Sequence, residues 1–210
     1  MLAAAGRGRF FMKIPPQKEL SLTVKHFQTV STPPIVLDSI AFFTSFDDNG
    51  SVLSVLMMDI PPEAGPRLSI RAIAQAKIWS LKVNGQKINI YEDWDDATKN
   101  SYDKRWIIPL ARDRTSHVEL AFIRQVEKPT LHGKLEAELP AAGLPSASVR
   151  IAIALPERLQ LLSLEGPVSP APESNWKQPD EFIGKPYYFS RDFYTGEGIK
   201  MILSYKEPLN

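Results

Sequence analysis

The sequence contains no cysteine among its 210 residues. Disulfides, thiolate nucleophiles and cysteine-held zinc or iron–sulfur sites are therefore excluded. Charge of one sign is not in excess either, because 25 Lys and Arg oppose 24 Asp and Glu. A strongly basic face or stripe is the usual sequence sign of nucleic-acid binding, so we expect no nucleic-acid partner. We also expect no cofactor.

Long apolar runs are missing as well. The longest apolar-rich stretch, Val52 to Met58, is interrupted by Ser54 and falls far below the roughly 18 to 20 residues of a membrane span. The first residues, MLAAAGRGRFFM, lack the apolar stretch that a signal peptide needs. We therefore expect neither a membrane span nor a signal peptide in this chain, and these features leave the compartment open.

Glycine is scarce beside proline, with 11 Gly against 18 Pro. Proline is excluded from helix interiors and central strands, so this excess indicates many short strands joined by stiff connections. Apolar and polar residues alternate with period two, as in Leu20 to Val24, Trp79 to Val83 and Val118 to Phe122. The sequence predicts an all-β protein made of two tandem antiparallel β-sandwich domains, the second smaller.

The predicted domains are an N-terminal arm over residues 1–16, a β-sandwich over 17–126 and a smaller β-sandwich over 127–210. The break falls at Val126 to Thr130, which separates two series of strands. We expect the first series to share a core made of Leu20, Leu22, Val24, Trp79, Leu81, Val83, Val118, Leu120 and Phe122. The second series is expected to build a separate core from Leu135, Leu139, Ile151, Ile153, Leu203 and Tyr205.

Three turn sequences predict hairpins between these strands. Asn84-Gly85 is the strongest, because this pair accepts the positive φ angles of a two-residue type I′ turn. Asp47 to Gly50 (DDNG) and Thr195 to Gly198 (TGEG) indicate longer hairpin loops.

An acidic loop is the best candidate for a metal site. Calcium takes several carboxylate oxygens from a loop, and Asp93, Asp95 and Asp96 are spaced to supply them. The pattern fails the EF-hand test, because Ala97 stands where a third ligand would fall and no Gly or bidentate Glu follows at the required spacing. The alternative is a solvated loop balanced by nearby Lys and Arg, and we expect it to bind no metal tightly.

Aromatic side chains in or beside two long loops are candidates for ligand or partner contact. Their apolar faces and polar tips suit partial exposure at an interface. The candidate binding residues are Trp94, Trp176, Tyr187 and Tyr188. The Pro-rich loop over 166–186, which holds Trp176, is stiff and therefore suits recognition. The alternative is that such residues are core or edge cover, which is the interpretation we favour for Trp79 and Trp106.

Catalytic patterns are incomplete in this sequence. Its three histidines are far apart, no Gly-x-Ser-x-Gly elbow is present, and the close glycine pairs do not continue into a phosphate-binding motif. We therefore do not expect an enzyme.

Four short segments follow one another in order between Leu68 and Glu157. They are WSLKVNG from Trp79, WIIPL from Trp106, ELPAAGLP from Glu138 and IALPE from Ile153. In this order they resemble β-sandwich segments of large, uncharacterised bacterial envelope proteins. The resemblance implies an extracytoplasmic structural or interaction role, in the periplasm or cell envelope, and brings no catalytic residues with it.

Three functions remain open. The favoured one is a non-catalytic structural or protein-interaction module of a bacterial envelope assembly, with a protein partner or self-association. The second is a carbohydrate-binding module that holds a polysaccharide with loop aromatics, and the third is a hydrolase with a dispersed site. A flat row of exposed aromatics would favour sugar, an apolar patch or unpaired edge strand a protein partner, and a deep cleft with convergent polar groups an enzyme.

Overall fold

A computed structural model describes residues 35–94, 104–173, 178–179 and 182–208. These residues form strands and one short 3-10 turn, Pro62–Ala64, and contain no α-helix, so the all-β prediction is confirmed. The strands are β1 (Leu37–Phe46), β2 (Ser51–Ile60), β3 (Arg67–Arg71), β4 (Lys77–Val83), β5 (Gln86–Lys87), β6 (Tyr91–Trp94), β7 (Lys104–Pro109), β8 (Ser116–Gln125), β9 (His132–Leu139), β10 (Ser146–Leu155), β11 (Gln160–Glu165), β12 (Ser169–Pro170), β13 (Lys185–Tyr194) and β14 (Ile199–Lys206). Nothing in this part of the chain is a helix long and apolar enough to cross a membrane.

The strands form one large sheet and two small ones. The large sheet has eight strands in the order β12-β13-β10-β1-β2-β8-β4-β5, and the small sheets are β11-β14-β9 and β3-β7-β6. In the large sheet β1 runs parallel to β10, and all the other strand pairs of this sheet are antiparallel. One face of the large sheet packs with both small sheets in a single apolar core; we call this the inner face.

The strands do not divide into two tandem domains at Val126 to Thr130. β1, β2 and β8 precede this point and lie in the same sheet as β10 and β13, which follow it. Leu120 and Leu203, assigned to separate cores, belong to one cluster. Alternation predicts which face of a strand is buried but not which strand lies beside it, so the parallel β1–β10 pair was not foreseen. Leu20, Leu22 and Val24 lie outside the described residues.

Two of the predicted hairpins are confirmed and one is wrong. Asn84 and Gly85 have φ angles of 54° and 77°, as a type I′ turn requires between β4 and β5. In the β1–β2 turn the Asp47 carboxylate accepts hydrogen bonds from the backbone N–H groups of Asn49 and Ser51 at 2.8 and 2.7 Å. Residues 195–198 instead carry the chain from β13 in the large sheet to β14 in a small one.

The opposite, outer face of the large sheet carries a much smaller apolar cluster. Its buried members are Phe43, Val55, Ala121 and Ala152, which lie side by side on β1, β2, β8 and β10. Phe182 and Tyr188 pack on this row. The inner face therefore carries the main core, while the outer face and the sheet edges are left for other roles.

Candidate functional site

One edge of the large sheet is left partly unpaired by the short strand β5. β4 pairs with β8 along its length, but with β5 only through Lys82 and Val83. The Ile88 N–H donates to the Leu81 carbonyl at 3.0 Å. From Ser80 back to Lys77 no other described strand pairs with this edge. As far as the described strands go, this part of the edge is free to pair with a partner.

A β-bulge at this edge turns Trp79 outward. Ile78 pairs with Phe122 and Ser80 with Ala121, so Trp79 is the extra residue that opposes no partner. Ile78 consequently packs against the core, while Trp79 is 65% exposed. The interpretation of Trp79 as a core residue is wrong, because strict alternation assumes a ladder without a bulge. Trp106 on β7 is fully buried, as expected.

Trp79 forms one wall of an open groove of about 400 Å³, which we call the Trp79 groove. The chain after β5 also lines the groove, through Ile88 and Ile90. Both isoleucines are half-buried and also pack on the main core. The groove therefore combines the apolar side chains of Trp79, Ile88 and Ile90 with polar ones such as Ser80 and Asn89.

Among the side chains that the structure describes, the charges beside the Trp79 groove are cationic. Lys87 lines it and Lys77 lies at the start of the same edge, and both are exposed. Among the described residues, neither lysine has a carboxylate partner. Lys82, by contrast, is neutralised by Glu119 at 2.6 Å. An exposed aromatic beside apolar walls and free cations suits a contact surface and offers no acid–base pair for catalysis.

The two candidate tyrosines, Tyr187 and Tyr188, have different surroundings. Tyr187 packs against the main core, and its hydroxyl accepts a hydrogen bond from the Leu161 N–H at 3.1 Å. Lys185 lies over its ring at 5.8 Å. The side chain therefore joins β13 to β11, and edge cover is the interpretation that the contacts favour.

Tyr188 lies on the outer face and holds part of the Pro-rich loop. Its hydroxyl accepts a hydrogen bond from Gln178 Nε2 at 2.7 Å and donates to Glu173 Oε1 at 3.4 Å. Burial raises the pKa of Tyr188, and the Glu173 carboxylate raises it further. Phe182, at the far end of the loop, packs edge-on against Phe43 at 5.6 Å. These contacts tie the loop to the sheet.

The remaining candidates stay as predictions. Asp93 and Trp94 lie on β6, where their backbones pair with Arg105 and Lys104. Asp95, Asp96 and Trp176 fall outside the described residues. Within the residues that the structure does describe, no group of three or more His, Asp or Glu is placed to hold a metal ion.

Sequence reasoning missed a cleft of about 580 Å³ beside the β1–β2 turn. Arg158 lies in it and donates to Asp48 Oδ1 at 2.6 Å, to Glu207 Oε2 at 3.0 Å and to the Pro129 carbonyl at 3.1 Å. The hydrogen bond to Asp48 is the main cause that raises the pKa of Arg158. Because its donors are already engaged, the guanidinium fastens three chain segments together. No local motif could have signalled contacts among residues so far apart in sequence.

A second exposed aromatic was also missed. Phe193, near the end of β13, is 85% exposed and has a φ of 54°, which is unusual for a bulky residue. Alternation along β13 places it toward the core, with Phe189. A left-handed residue breaks that alternation, and a single sequence shows no sign of one at a phenylalanine.

Comparison with known proteins shows a similarity of fold. No protein-family model matches the sequence, and no curated protein matches it significantly. Yeast LTA4 hydrolase in complex with bestatin and native leukotriene A4 hydrolase from Saccharomyces cerevisiae both superpose with a TM-score of 0.51 over 80% of this chain, at 10% and 9% identity. An M1 zinc metallopeptidase from Deinococcus radiodurans gives 0.46 over 80% of this chain and 42% of its own, at 10% identity. The chain spans 28% and 29% of the two yeast hydrolase chains, and at these identities the likeness shows the fold alone.

Proposed function

We propose that this chain is a non-catalytic protein-interaction module that contacts its partner through the Trp79 groove. The exposed position of Trp79, on a bulge that turns it away from an available core, is the observation that carries the proposal. Tryptophan is among the residue types most enriched as anchors of interfaces. The sequence resemblance extends the proposal to an assembly of the bacterial envelope.

The surroundings of Trp79 support a protein partner. Ile88 and Ile90 supply apolar walls, and the neighbouring edge of β4 has backbone groups that no described strand pairs. Unpaired strand edges are templates for contact with another chain. A sugar-binding face would need a flat row of aromatics, but among the described side chains Trp79 is the only exposed aromatic that lines this groove. The carbohydrate alternative is therefore less well supported.

The solved structures support a modular role. The same fold makes up less than a third of the yeast hydrolase chains, so it occurs within larger proteins. Those yeast proteins are hydrolases by name. The described residues of this chain form no metal-ligand cluster, and they place no acid–base pair at the Trp79 groove. The proposal is accordingly contact rather than catalysis.

A photo-crosslinking amino acid at position 79 tests the proposal in cells that express the protein. Position 162 on β11 is the matched control, since Leu162 is also an exposed apolar residue, on another sheet. We expect one protein to be joined covalently from position 79 and not from position 162, and mass spectrometry identifies it.

The identified protein is then purified and titrated with wild-type and Trp79→Ala chains. Loss of an interface anchor commonly costs about 2 kcal/mol, so we expect Kd to rise roughly 30-fold while Tm is unchanged. Equal crosslinking from both positions, or an unaltered Kd, would contradict the proposal.

A further inference from the structure

The large sheet carries an exposed aromatic toward each of its two edges. Trp79 lies on β4, next to the edge strand β5, and Phe193 lies on β13, next to the edge strand β12. β12 pairs only with Phe189 and Ser190, so the described strands leave the outer side of residues 192–194 unpaired. Neither aromatic is used by the core.

The exposure of Phe193 belongs to an irregularity that crosses three strands. Leu37, Ser146 and Tyr194 form one paired row and are all buried. The next paired row along the strands is Ser39, Ser148 and Asp192. One residue of each strand lies between these two rows, and all three are exposed: Asp38, Ala147 and Phe193. Alternation from the core residues Ile40, Val149 and Phe189 would have turned these three residues inward. The sheet thus presents Phe193 in a coherent surface rather than on a frayed end.

The charge of this surface is opposite to that of the Trp79 groove. Asp192 precedes Phe193, and Asp38 lies two strands away, on the order of 10 Å by strand spacing. Both are exposed, and no Lys or Arg of the described residues pairs with either. The nearby Arg191 is already bound to Glu197 at 2.7 Å. We call Phe193, Asp38 and Asp192 the Phe193 surface.

We propose that this chain associates head to tail, with the Phe193 surface of one copy seated in the Trp79 groove of the next. The inference rests on the proposed function of the groove and names its occupant as a second copy. Phe193 packs on the apolar side chains of the groove beside Trp79, while Asp38 and Asp192 lie opposite Lys77 and Lys87. Charge complementarity between two surfaces of one molecule is what selects a second copy as the partner.

Such a contact is heterologous, because two different patches meet, so each junction leaves one free groove and one free Phe193 surface. The bulge in β4 and the irregular row in β13 limit strand pairing at these edges to a few backbone hydrogen bonds. Side chains therefore make most of the junction. Its exposed charges are screened by salt, so association weakens as ionic strength rises.

Sedimentation velocity over a wide range of protein concentration tests the inference. We expect the wild-type mass average to rise with concentration and to fall with added salt. Trp79→Ala and Phe193→Gly each lower the association constant by about tenfold or more, since each removes an aromatic anchor. Glycine suits the left-handed backbone at this position, so Phe193→Gly keeps or raises Tm and excludes misfolding as the cause. Leu162→Ala is the control and leaves association unchanged.

Mixing the two variants gives the sharper result. Trp79→Ala retains a Phe193 surface and Phe193→Gly retains a groove, so the mixture forms one junction and stops at dimers. Lys87→Asp and Asp192→Lys, each poor at self-association, likewise associate when mixed. A wild-type chain that stays monomeric, or mixtures that do not associate, overturn the inference.

Failure of the inference and failure of the proposed function are distinguishable. If position 79 crosslinks a different protein while the pure chain stays monomeric, the groove is an interface but its occupant is not a second copy. If position 79 crosslinks nothing and Trp79→Ala changes no association, both fail.

Discussion

The two faces of the large sheet are made by the same strands but differ in what they hold. The inner face buries alternate side chains of β1, β2, β8 and β10 against both small sheets. The outer face buries one short apolar row beneath Phe182 and Tyr188, and most of its remaining positions are polar or half-exposed. The inner face accordingly sets the stability of the fold, and the outer face and edges are free to change with little cost.

The two tryptophans Trp106 and Trp79 give the largest expected difference. Trp106 is fully buried on the inner side and contacts Phe122 at 5.4 Å between ring centroids. We expect Trp106→Ala to lower the free energy of unfolding by about 3 to 5 kcal/mol, because it removes a large buried aromatic and leaves a cavity. Trp79→Ala should change it by less than about 0.5 kcal/mol. Urea unfolding of both variants measures the contrast, and similar losses would show that Trp79 is a packing residue.

These two residues also show what the sequence could and could not predict. The alternation around Trp106 is regular, and its burial follows from it. The same alternation around Trp79 fails, because a bulge depends on the ladder with β8, which lies more than thirty residues away in sequence. Asn84-Gly85 was predictable because its two φ angles are a local property of the pair. The Trp79 groove, the Arg158 contacts and the parallel β1–β10 pair are long-range, and no local pattern carries them.

The second largest effect is expected at a pair of buried hydroxyl groups on the inner face. Thr44 Oγ1 and Ser54 Oγ share a hydrogen bond of 2.9 Å, and both residues are buried on adjacent strands. Thr44→Val leaves the Ser54 hydroxyl without this partner, so we expect a loss of about 1 to 3 kcal/mol. The double variant Thr44→Val, Ser54→Ala removes both groups and should cost less than the sum of the single variants. A double-mutant cycle measures the coupling, and strict additivity would contradict it.

Two tyrosines give a smaller difference, visible only at alkaline pH. Burial raises the pKa of Tyr194 to about 12. The pKa of the partly exposed Tyr188 is also raised, by its burial and by the Glu173 carboxylate. Since an unfolded tyrosine ionises near pH 10 and folded Tyr194 near 12, the unfolded state binds fewer protons between these values. Stability contributed by the neutral Tyr194 is complete below about pH 10 and is lost as pH rises toward 12, at roughly 1 kcal/mol per pH unit.

The measurement is the urea midpoint of wild type and Tyr194→Phe from pH 9 to about 11. We expect the wild type to lose about 1 kcal/mol more than the variant across this interval, because phenylalanine has no proton to release. Tyr188→Phe is the outer-face control and should change the slope less. Parallel pH profiles for wild type and Tyr194→Phe would show that burial of this phenol is not coupled to stability.

The smallest expected effect belongs to the ion pair of the outer face. Lys82 Nζ lies 2.6 Å from Glu119 Oε1, and both side chains are partly exposed. Such pairs are worth about 0.2 to 1 kcal/mol, because water screens the attraction and two long side chains lose freedom. We expect Glu119→Gln to lower the free energy of unfolding within this range, and added salt to shrink the difference. Lys134 and Glu165, 3.6 Å apart and more exposed, form the matched pair, so Glu165→Gln should cost still less. A loss from Glu119→Gln as large as that of Thr44→Val would mean that the outer face contributes to the fold as strongly as the inner one, and would break the contrast between them.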